Sequence, residues 1–198
     1  MPREAAVRPH HHAVQFYGSD TSLFTTVAGF LSQGLVIGCP AVIIATPSHS
    51  HSILEHLRGR LIDVDQAQRL GDLVVLDAHQ TLSRFMVDDE PSSERFDASV
   101  GRVMEDLCKG RSEHSPIRAY GEMVDVLWKE GRSQAAISLE ILWNKLALRH
   151  GFALLCGYAM GNFYKQTQLF EDVCAQHTHH LMPGESMLAP PSRDPRVQ

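Results

Sequence analysis

The chain has 198 residues, of which 43% are hydrophobic and 21% are charged, and its formal net charge is −5. This length suits one globular domain with a sizeable core. The negative balance and the lack of a basic stripe argue against direct binding to nucleic acid. No apolar run reaches the length of about 20 residues that a membrane span needs, and the first residues lack the apolar core of a signal peptide. We therefore predict a cytoplasmic protein without membrane contact, whose four cysteines are reduced thiols.

Polar, proline-containing segments at both ends frame the predicted domain. The first nine residues hold two prolines, and the sequence after Leu181 is rich in proline and polar residues. Such segments cannot bury enough apolar surface to order themselves. We predict a flexible lead over residues 1–9, a folded domain over residues 10–181 and a disordered tail over residues 182–198.

The segment from His12 to Thr46 has the pattern strand, turn, helix, strand. A β-prone run, His12–Tyr17, ends at Gly18-Ser19-Asp20, and an amphipathic run follows. Either Ser19 or Asp20 can cap the first turn of the predicted helix. The continuous apolar run Ala41–Thr46 is typical of a buried parallel strand. Together these elements predict one βαβ unit.

Strands and helices alternate along the rest of the chain. The predicted strands are Leu73–Ala78, Pro116–Met123 and Phe152–Tyr158, and the predicted helices are His49–Arg58, Val64–Arg69, Thr81–Met86, Arg95–Lys109, Met123–Trp128, Ser133–His150 and Asn162–His177. Alternation of this kind indicates a parallel sheet that is covered on both faces. We predict an α/β fold, a three-layer sandwich with a mainly parallel central sheet, whose strand order stays open.

Polar and aromatic residues fall at or near the carboxyl ends of the predicted strands. Parallel strands end at one edge of the sheet, where open α/β folds bind ligands. We predict a small pocket at this edge, lined by Tyr17, His49, Glu122 and Cys156. The full set of predicted ligand-binding residues is Phe16, Tyr17, Gly18, Ser19, Thr46, His49, Asp77, Glu122, Trp128, Cys156 and Tyr158.

Single residues of this set also have a purely structural explanation. Asp77 can cap the helix that follows it, Glu122 can pair with an arginine, and Cys156 can pack as a small apolar residue.

The first turn departs from a nucleotide-binding loop. A phosphate loop has the pattern G-x-x-x-x-G-K-[ST], whereas Tyr17–Leu23 contains no lysine. A carboxylate at Asp20 would repel an incoming phosphate. The sequence also lacks the G-x-S-x-G motif of serine hydrolases. We predict a degenerate phosphate loop and a protein that is not an enzyme and has no cofactor.

A histidine-rich segment near the end of the last predicted helix offers possible zinc ligands. It contains Cys174, His177, His179 and His180. The single cysteine and the approach to the tail favour a frayed helix end, so we predict no metal site and keep this set as the alternative. His12 and its neighbours join it only if the two ends of the chain meet.

Six phrases of the sequence resemble, in the same order, the MEDS domain, the DcmR-type sensory domain of methanogens and methylotrophs. They extend from about His12 to Phe163 and read HAVQFYGSDTSLF, FLSQGLVIGCPAVIIATPSH, LVVLDAHQTLSRFM, AYGEMVDVLW, LEILWNKLA and FALLCGY. The resemblance implies a RecA-like, KaiC-related fold that has lost its ATPase motif, with LVVLDA in the place of a Walker B strand. It also implies sensing of small hydrocarbon derivatives, and members occur alone, ahead of DNA-binding domains or beside histidine kinases.

The resemblance predicts a non-enzymatic sensory module for signal transduction and transcription regulation. It would bind a small organic, hydrocarbon-derived ligand at the carboxyl edge of the sheet and signal through a partner such as a histidine kinase or a transcription regulator. Two alternatives stay open: a protein-interaction scaffold without a ligand, and a metal- or nucleotide-binding protein with residual activity. The apolar stripe of Ser133–His150 also leaves a homodimer open.

Overall fold

A computed structural model of the protein describes residues 11–109, 111, 116–163, 167–183 and 185. The predicted lead over residues 1–9 lies outside the described residues, as does most of the predicted tail. Among the described residues, the helices are too short or too polar to cross a lipid bilayer.

A parallel sheet forms the middle layer. The strands are β1 (His11–Tyr17), β2 (Ala41–Ala45), β3 (Leu73–Asp77), β4 (Met86–Val87), β5 (Glu90–Pro91), β6 (Arg118–Gly121), β7 (Ala153–Ala159) and β8 (His179–Leu181). Six of them form the sheet in the order β3-β2-β6-β7-β1-β8, and every neighbouring pair is parallel. The strands β4 and β5 pair as a short antiparallel hairpin.

Helices cover both faces of the sheet. They are α1 (Asp20–Leu35), α2 (Pro47–Arg58), α3 (Val64–Leu70), α4 (Ala78–Phe85), α5 (Ser93–Phe96), α6 (Arg102–Cys108), α7 (Met123–Lys129), α8 (Ser133–His150) and α9 (Thr167–Ala175). A π-helical stretch, Asp97–Gly101, joins α5 to α6, and a 3-10 turn, Met160–Phe163, follows β7.

The alternation of side chains along each strand creates two apolar cores. In β1, Ala13 and Tyr17 pack with α1, α2 and α3, while Val14 and Phe16 pack with the helices from α4 onward. We call these two sides the α1 face and the α8 face. Since successive side chains of a strand point to opposite faces, the fold is a three-layer sandwich, as predicted.

Capping residues set the helix boundaries where the sequence predicts them. Ser19 precedes α1, and its hydroxyl accepts a hydrogen bond from the amide of Ser22. Gly151 ends α8 with a φ of 64°, a left-handed conformation that glycine adopts without steric cost. The bounds of α8 are those predicted from its apolar stripe.

The end of the described chain differs from the prediction. Instead of one helix over Asn162–His177, the structure has the 3-10 turn, then α9, then the strand β8 beside β1. The amide of Thr178 donates to the carbonyl of His12. Two histidines and a leucine are too short a run to show the periodicity that predicts a strand, so pairing with the edge of β1 makes β8 a strand.

Candidate functional site

Several helices begin at the carboxyl edge of the sheet, among them α1, α2 and α7. The strands β1, β2 and β6 each lead into a helix within two residues, so α1, α2 and α7 point their amino termini at this edge. Polar side chains from these elements form one polar region with two hydrogen-bonded groups, one around Glu122 and one around Asp125. We call it the edge network, and it consists of Tyr17, His49, Glu122, Asp125 and Lys129.

Glu122 is the buried acceptor at the centre of one half of the edge network. It is 3% exposed, and it accepts hydrogen bonds from the amide of Thr46, from His49 Nδ1 at 2.6 Å and from the hydroxyl of Tyr120 at 3.2 Å. Burial alone would raise the pKa of Glu122, but the hydrogen bonds from His49 and Thr46 hold it below its usual value. The carboxylate is therefore ionised inside the protein.

His49 connects this buried carboxylate to the surface. Its Nδ1 donates to Glu122, and its Nε2 lies 3.8 Å from the carboxylate of the exposed Asp20. The hydrogen bond to Glu122 raises the pKa of His49. The ring of Phe24 packs edge-on against the imidazole at 5.1 Å between centroids. A buried aromatic ring thus supports the imidazole at the rim of the edge.

Asp125 holds the other half of the edge network. It is 2% exposed, and its oxygens accept from the Tyr17 hydroxyl at 2.9 Å, the amide of Ala159 at 3.0 Å and the side-chain amide of Asn162 at 2.7 Å. Lys129 Nζ lies 2.7 Å from the same carboxylate. Burial, followed by the nearby Asp125, raises the pKa of Tyr17, so its hydroxyl stays a neutral donor.

The connection between β1 and α1 is too short for a phosphate loop. Only Gly18 and Ser19 separate Tyr17 from the first residue of α1, and the Ser19 hydroxyl is used as the helix cap. The phosphate-loop motif spans about eight residues and includes a lysine. The connection between β1 and α1 therefore lacks the backbone cradle that grips a triphosphate in nucleotide enzymes.

A second group of titratable side chains lies on the α8 face of the sheet. It consists of His12, Glu140, Cys156 and His177, and we call it the buried cluster. One ligand atom from each residue lies within 4.8 Å of the other three. Burial alone would raise the pKa of Glu140, but His177 and His12 hold it well below its usual range. Burial and the neighbouring Glu140 raise the pKa of Cys156.

The fold and the six sequence phrases both point to one protein family. The profile of MEDS, described as the MEthanogen/methylotroph, DcmR Sensory domain, matches residues 11–178. The chain belongs to the MEDS family. A search of curated proteins found no match to it. MEDS is a family of sensory domains, and this membership is consistent with a role in signalling.

The MEDS domain brings some of the predicted site residues together. Tyr17, Thr46, His49 and Glu122 meet at the carboxyl edge, and Gly18 and Ser19 form its exposed rim. Whether these residues bind a ligand stays a prediction.

The other predicted residues lie elsewhere in the MEDS domain. Phe16, Trp128 and Tyr158 pack with Phe163 on the α8 face, with Trp128 and Tyr158 at 5.5 Å between ring centroids. These three residues therefore lie apart from the edge network, and whether they contact a ligand stays a prediction. A strand pattern separates residues by face, but it does not say which face meets the ligand.

Asp77 and Cys156 also depart from the predicted pocket. The strand β3, which ends at Asp77, is four strands away from β1, about 19 Å at ordinary strand spacing. Asp77 caps α4 by accepting from the amide of Gln80. Cys156 is the fourth residue of β7 and belongs to the buried cluster, so its placement at a strand end was wrong.

The sequence contained a signal for two residues that the prediction missed. Asp125 and Lys129 follow Glu122 at spacings of three and seven residues, which place all three on one side of a helix. In the predicted helix Met123–Trp128, this spacing indicates a polar side. Its polar side faces the edge, and its apolar residues are buried.

Three of the four residues in the alternative metal set lie outside the buried cluster. His177 belongs to the buried cluster, whereas Cys174 lies on α9 outside it, and His179 and His180 are exposed on β8. The two ends of the described chain do meet, because the rings of His12 and His177 are 4.1 Å apart between centroids.

Proposed function

We propose that this MEDS domain is a non-enzymatic sensory module. It binds a small organic, hydrocarbon-derived ligand at the carboxyl edge of the sheet and signals through a partner protein such as a histidine kinase or a transcription regulator. The observation that carries the proposal is the two-residue connection from Tyr17 to Asp20 beside the edge network. The place where relatives of this fold class bind ligands is kept, while the loop that would hold a triphosphate is missing.

The edge network leaves a limited set of atoms for a ligand. The oxygens of Glu122 and Asp125 are occupied by internal donors. His49 Nε2 and Lys129 Nζ remain at the rim, since the His49 side chain is 14% exposed and the Lys129 side chain is 51% exposed. Both are donors when protonated. They favour a small molecule with an acceptor atom, such as an oxygen or a halogen.

A ligand at this rim has a direct route into the fold. Lys129 is the last residue of α7, and it pairs with Asp125, which also holds Tyr17 of β1 and Ala159 of β7. A ligand that competes for Lys129 changes the charge balance at Asp125. We therefore expect a shift of α7 to carry the signal to a partner.

A thermal-shift panel tests the proposal. We expect stabilisation by at least one short alcohol, aldehyde or halogenated methane, and no stabilisation by Mg-ATP. The variants His49→Gln and Lys129→Met should weaken this response at least tenfold. The control is His56→Gln, because His56 also packs on Phe24 but bonds to the carbonyl of Ser52 outside the edge network.

Two results would contradict the sensory proposal. Stabilisation by Mg-ATP with release of phosphate would show a nucleotide enzyme. A ligand response that survives in both edge variants would place the ligand elsewhere. A lack of response to the whole panel would favour the second candidate function.

That second candidate is a protein-interaction scaffold, and an exposed basic groove favours it. The groove has a volume of about 500 Å³ and is lined by Arg84, Arg95, Arg102 and Asp106, among others. Within the described residues, these three arginines form no ion pair. The groove suits an acidic segment of a partner.

A labelled poly-glutamate peptide tests the scaffold candidate. The double variant Arg95→Glu/Arg102→Glu should lose at least tenfold in affinity for it. Arg58→Glu is the matched control, because Arg58 lies on α2 and is paired with Glu55 and Asp65. Equal binding by all three proteins would reject the groove as a docking site.

A further inference from the structure

We propose that His12, Glu140, Cys156 and His177 bind one Zn²⁺ ion in a closed, structural site. This site is separate from the edge network and does not depend on the proposed function. Thiolate, imidazole and carboxylate are the ligands that zinc accepts, and four protein ligands around one ion are the rule for structural zinc.

Four contacts within the cluster are close to the edge length of a zinc coordination tetrahedron. Zinc bonds of about 2.0–2.3 Å place neighbouring ligand atoms about 3.3–3.7 Å apart. His12 Nε2 lies 3.3 Å from Cys156 Sγ and 3.2 Å from Glu140 Oε2. Cys156 Sγ lies 3.4 Å from the same carboxylate, and His177 Nε2 lies 3.3 Å from Glu140 Oε1. One ligand atom from each of the four residues lies within 4.8 Å of the others, so small side-chain shifts would bring all four around one ion.

Hydrogen bonds outside the cluster orient His12 as a ligand. Asn144 donates from Nδ2 to the carbonyl of Gln176, which leaves its Oδ1 facing His12 Nδ1 at 2.8 Å. This oxygen only accepts, so the ring proton of a neutral His12 is on Nδ1. The lone pair of Nε2 then points into the cluster. Metal-bound histidines are commonly held in this way by a partner on the other nitrogen.

His177 has the same arrangement. Its Nδ1 donates to the carbonyl of Val173 at 2.7 Å, so its Nε2 also carries a lone pair in the neutral ring. This Nε2 is buried and has no hydrogen-bond partner. Buried polar atoms without a partner are rare in proteins and call for an explanation. A metal ion between the four side chains supplies the missing partner.

A divalent ion also balances the charge of the cluster. The side chains of His12, Glu140 and His177 are 0% exposed, and Cys156 is fully buried as well. Zinc binding removes the proton of the Cys156 thiol, which is released to solvent as the sulfur–zinc bond forms. The charges of Zn²⁺, one thiolate and one carboxylate then cancel, and burial of an unbalanced charge is avoided.

The site would fasten the end of the fold to its beginning. Its ligands come from β1, α8, β7 and the turn that follows α9. Val173 is the buried residue of α9, and two of the three residues of β8 are exposed. Leu169, Phe170 and Val173 pack α9 against the core, and a metal bond at His177 would add a tie between this segment and β1.

Metal analysis of the full chain, produced without a histidine tag, tests the proposal. We expect one zinc per chain and, after replacement by cobalt, a thiolate-to-cobalt absorption band. Cys156→Ser should lose this band and bind zinc at least tenfold more weakly. Cys174→Ser is the matched control, because it removes a nearby thiol outside the cluster, and it should keep both properties.

Surface histidines need a separate control. The rings of His11 and His179 lie 5.5 Å apart on the exposed side of β1 and β8 and can bind metal loosely. The variant His11→Gln/His179→Gln should keep the tight zinc and the cobalt band.

Two results would overturn the site. One is a folded chain that shows no thiolate-to-cobalt band after refolding with equimolar cobalt. The other is X-ray absorption of the zinc-loaded natural chain that shows no sulfur ligand. This last measurement needs no variant, so it decides the question even if Cys156→Ser fails to fold.

Discussion

The edge network and the buried cluster both place histidine against glutamate, but with different geometry. At the edge, His49 Nδ1 lies 2.6 Å from Glu122, which is a short hydrogen bond. In the cluster, the nearest nitrogen–oxygen distances are 3.2 Å for His12 and 3.3 Å for His177. One pair shares a proton, whereas the other set is spaced like ligands around an ion. The same residue types therefore support different chemistry in one fold.

The position of each glutamate in the fold explains this difference. Glu122 follows the end of β6, where the amide of Thr46 and the ring of His49 reach it from β2 and α2. Glu140 lies on the buried side of α8, against the middle of the sheet. A strand end has free backbone donors and access to solvent, while the middle of a sheet has neither. Side chains therefore satisfy Glu140: those of the cluster and the hydroxyl of Tyr158, which donates to it at 3.0 Å.

Replacing Glu140 and Glu122, each in its own variant, should distinguish the buried cluster from the edge network most clearly. We expect Glu140→Gln to lower the free energy of unfolding by about 3–5 kcal/mol, because it removes the charge that the buried histidines and the thiol surround. We expect Glu122→Gln to cost about 2 kcal/mol, because the amide oxygen still accepts from Thr46. Urea unfolding of both variants measures these losses.

The control for this pair is Glu171→Gln on the exposed side of α9, which should change the free energy by less than about 0.5 kcal/mol. Equal losses for Glu140→Gln and Glu122→Gln would contradict the distinction between the two regions.

The edge pair should also make stability depend on pH. The folded pKa of His49 is raised above 6.5, so its contribution is complete below that pH and is lost as pH rises through the folded pKa. The folded pKa of Glu122 is lowered below 4.5, so its contribution is present above that pH and is lost as pH falls through the folded pKa. The pair of His49 and Glu122 therefore stabilises the fold most between pH 4.5 and pH 6.5.

Unfolding free energies of the natural chain and His49→Gln check this window. The difference between them should be largest near pH 5.5 and smaller near pH 8. His56→Gln, outside the edge network, should show no such trend. A difference that grows towards pH 8 would mean that His49 is held neutral by another partner.

The smallest expected effect concerns a residue that the sequence placed in the pocket. Asp77→Ala should cost about 1 kcal/mol, because Asp77 caps α4 far from the edge network. Asp63→Ala should cost about the same, because Asp63 caps α3 in the same way. Thermal unfolding of both variants tests this equality. A much larger loss at Asp77 alone would indicate a role beyond capping.

The sequence by itself determined the class of fold and the position of its main elements. The alternation of strand-like and helix-like hydrophobic patterns along the chain predicted the layered α/β sandwich. Ser19 and Gly151 marked where α1 begins and α8 ends. The phrases that resemble the MEDS domain indicated the family. These are local properties, because propensity, capping and periodicity depend on residues close together in the chain.

Only the tertiary structure decided which side chains meet. Strand order placed Asp77 far from Tyr17, and the face of each strand separated Phe16 and Tyr158 from the edge network. The buried cluster unites residues from positions 12, 140, 156 and 177. No local pattern links such distant positions. Their contact follows from the packing of β1, β7, α8 and the end of the chain, which a single sequence does not specify.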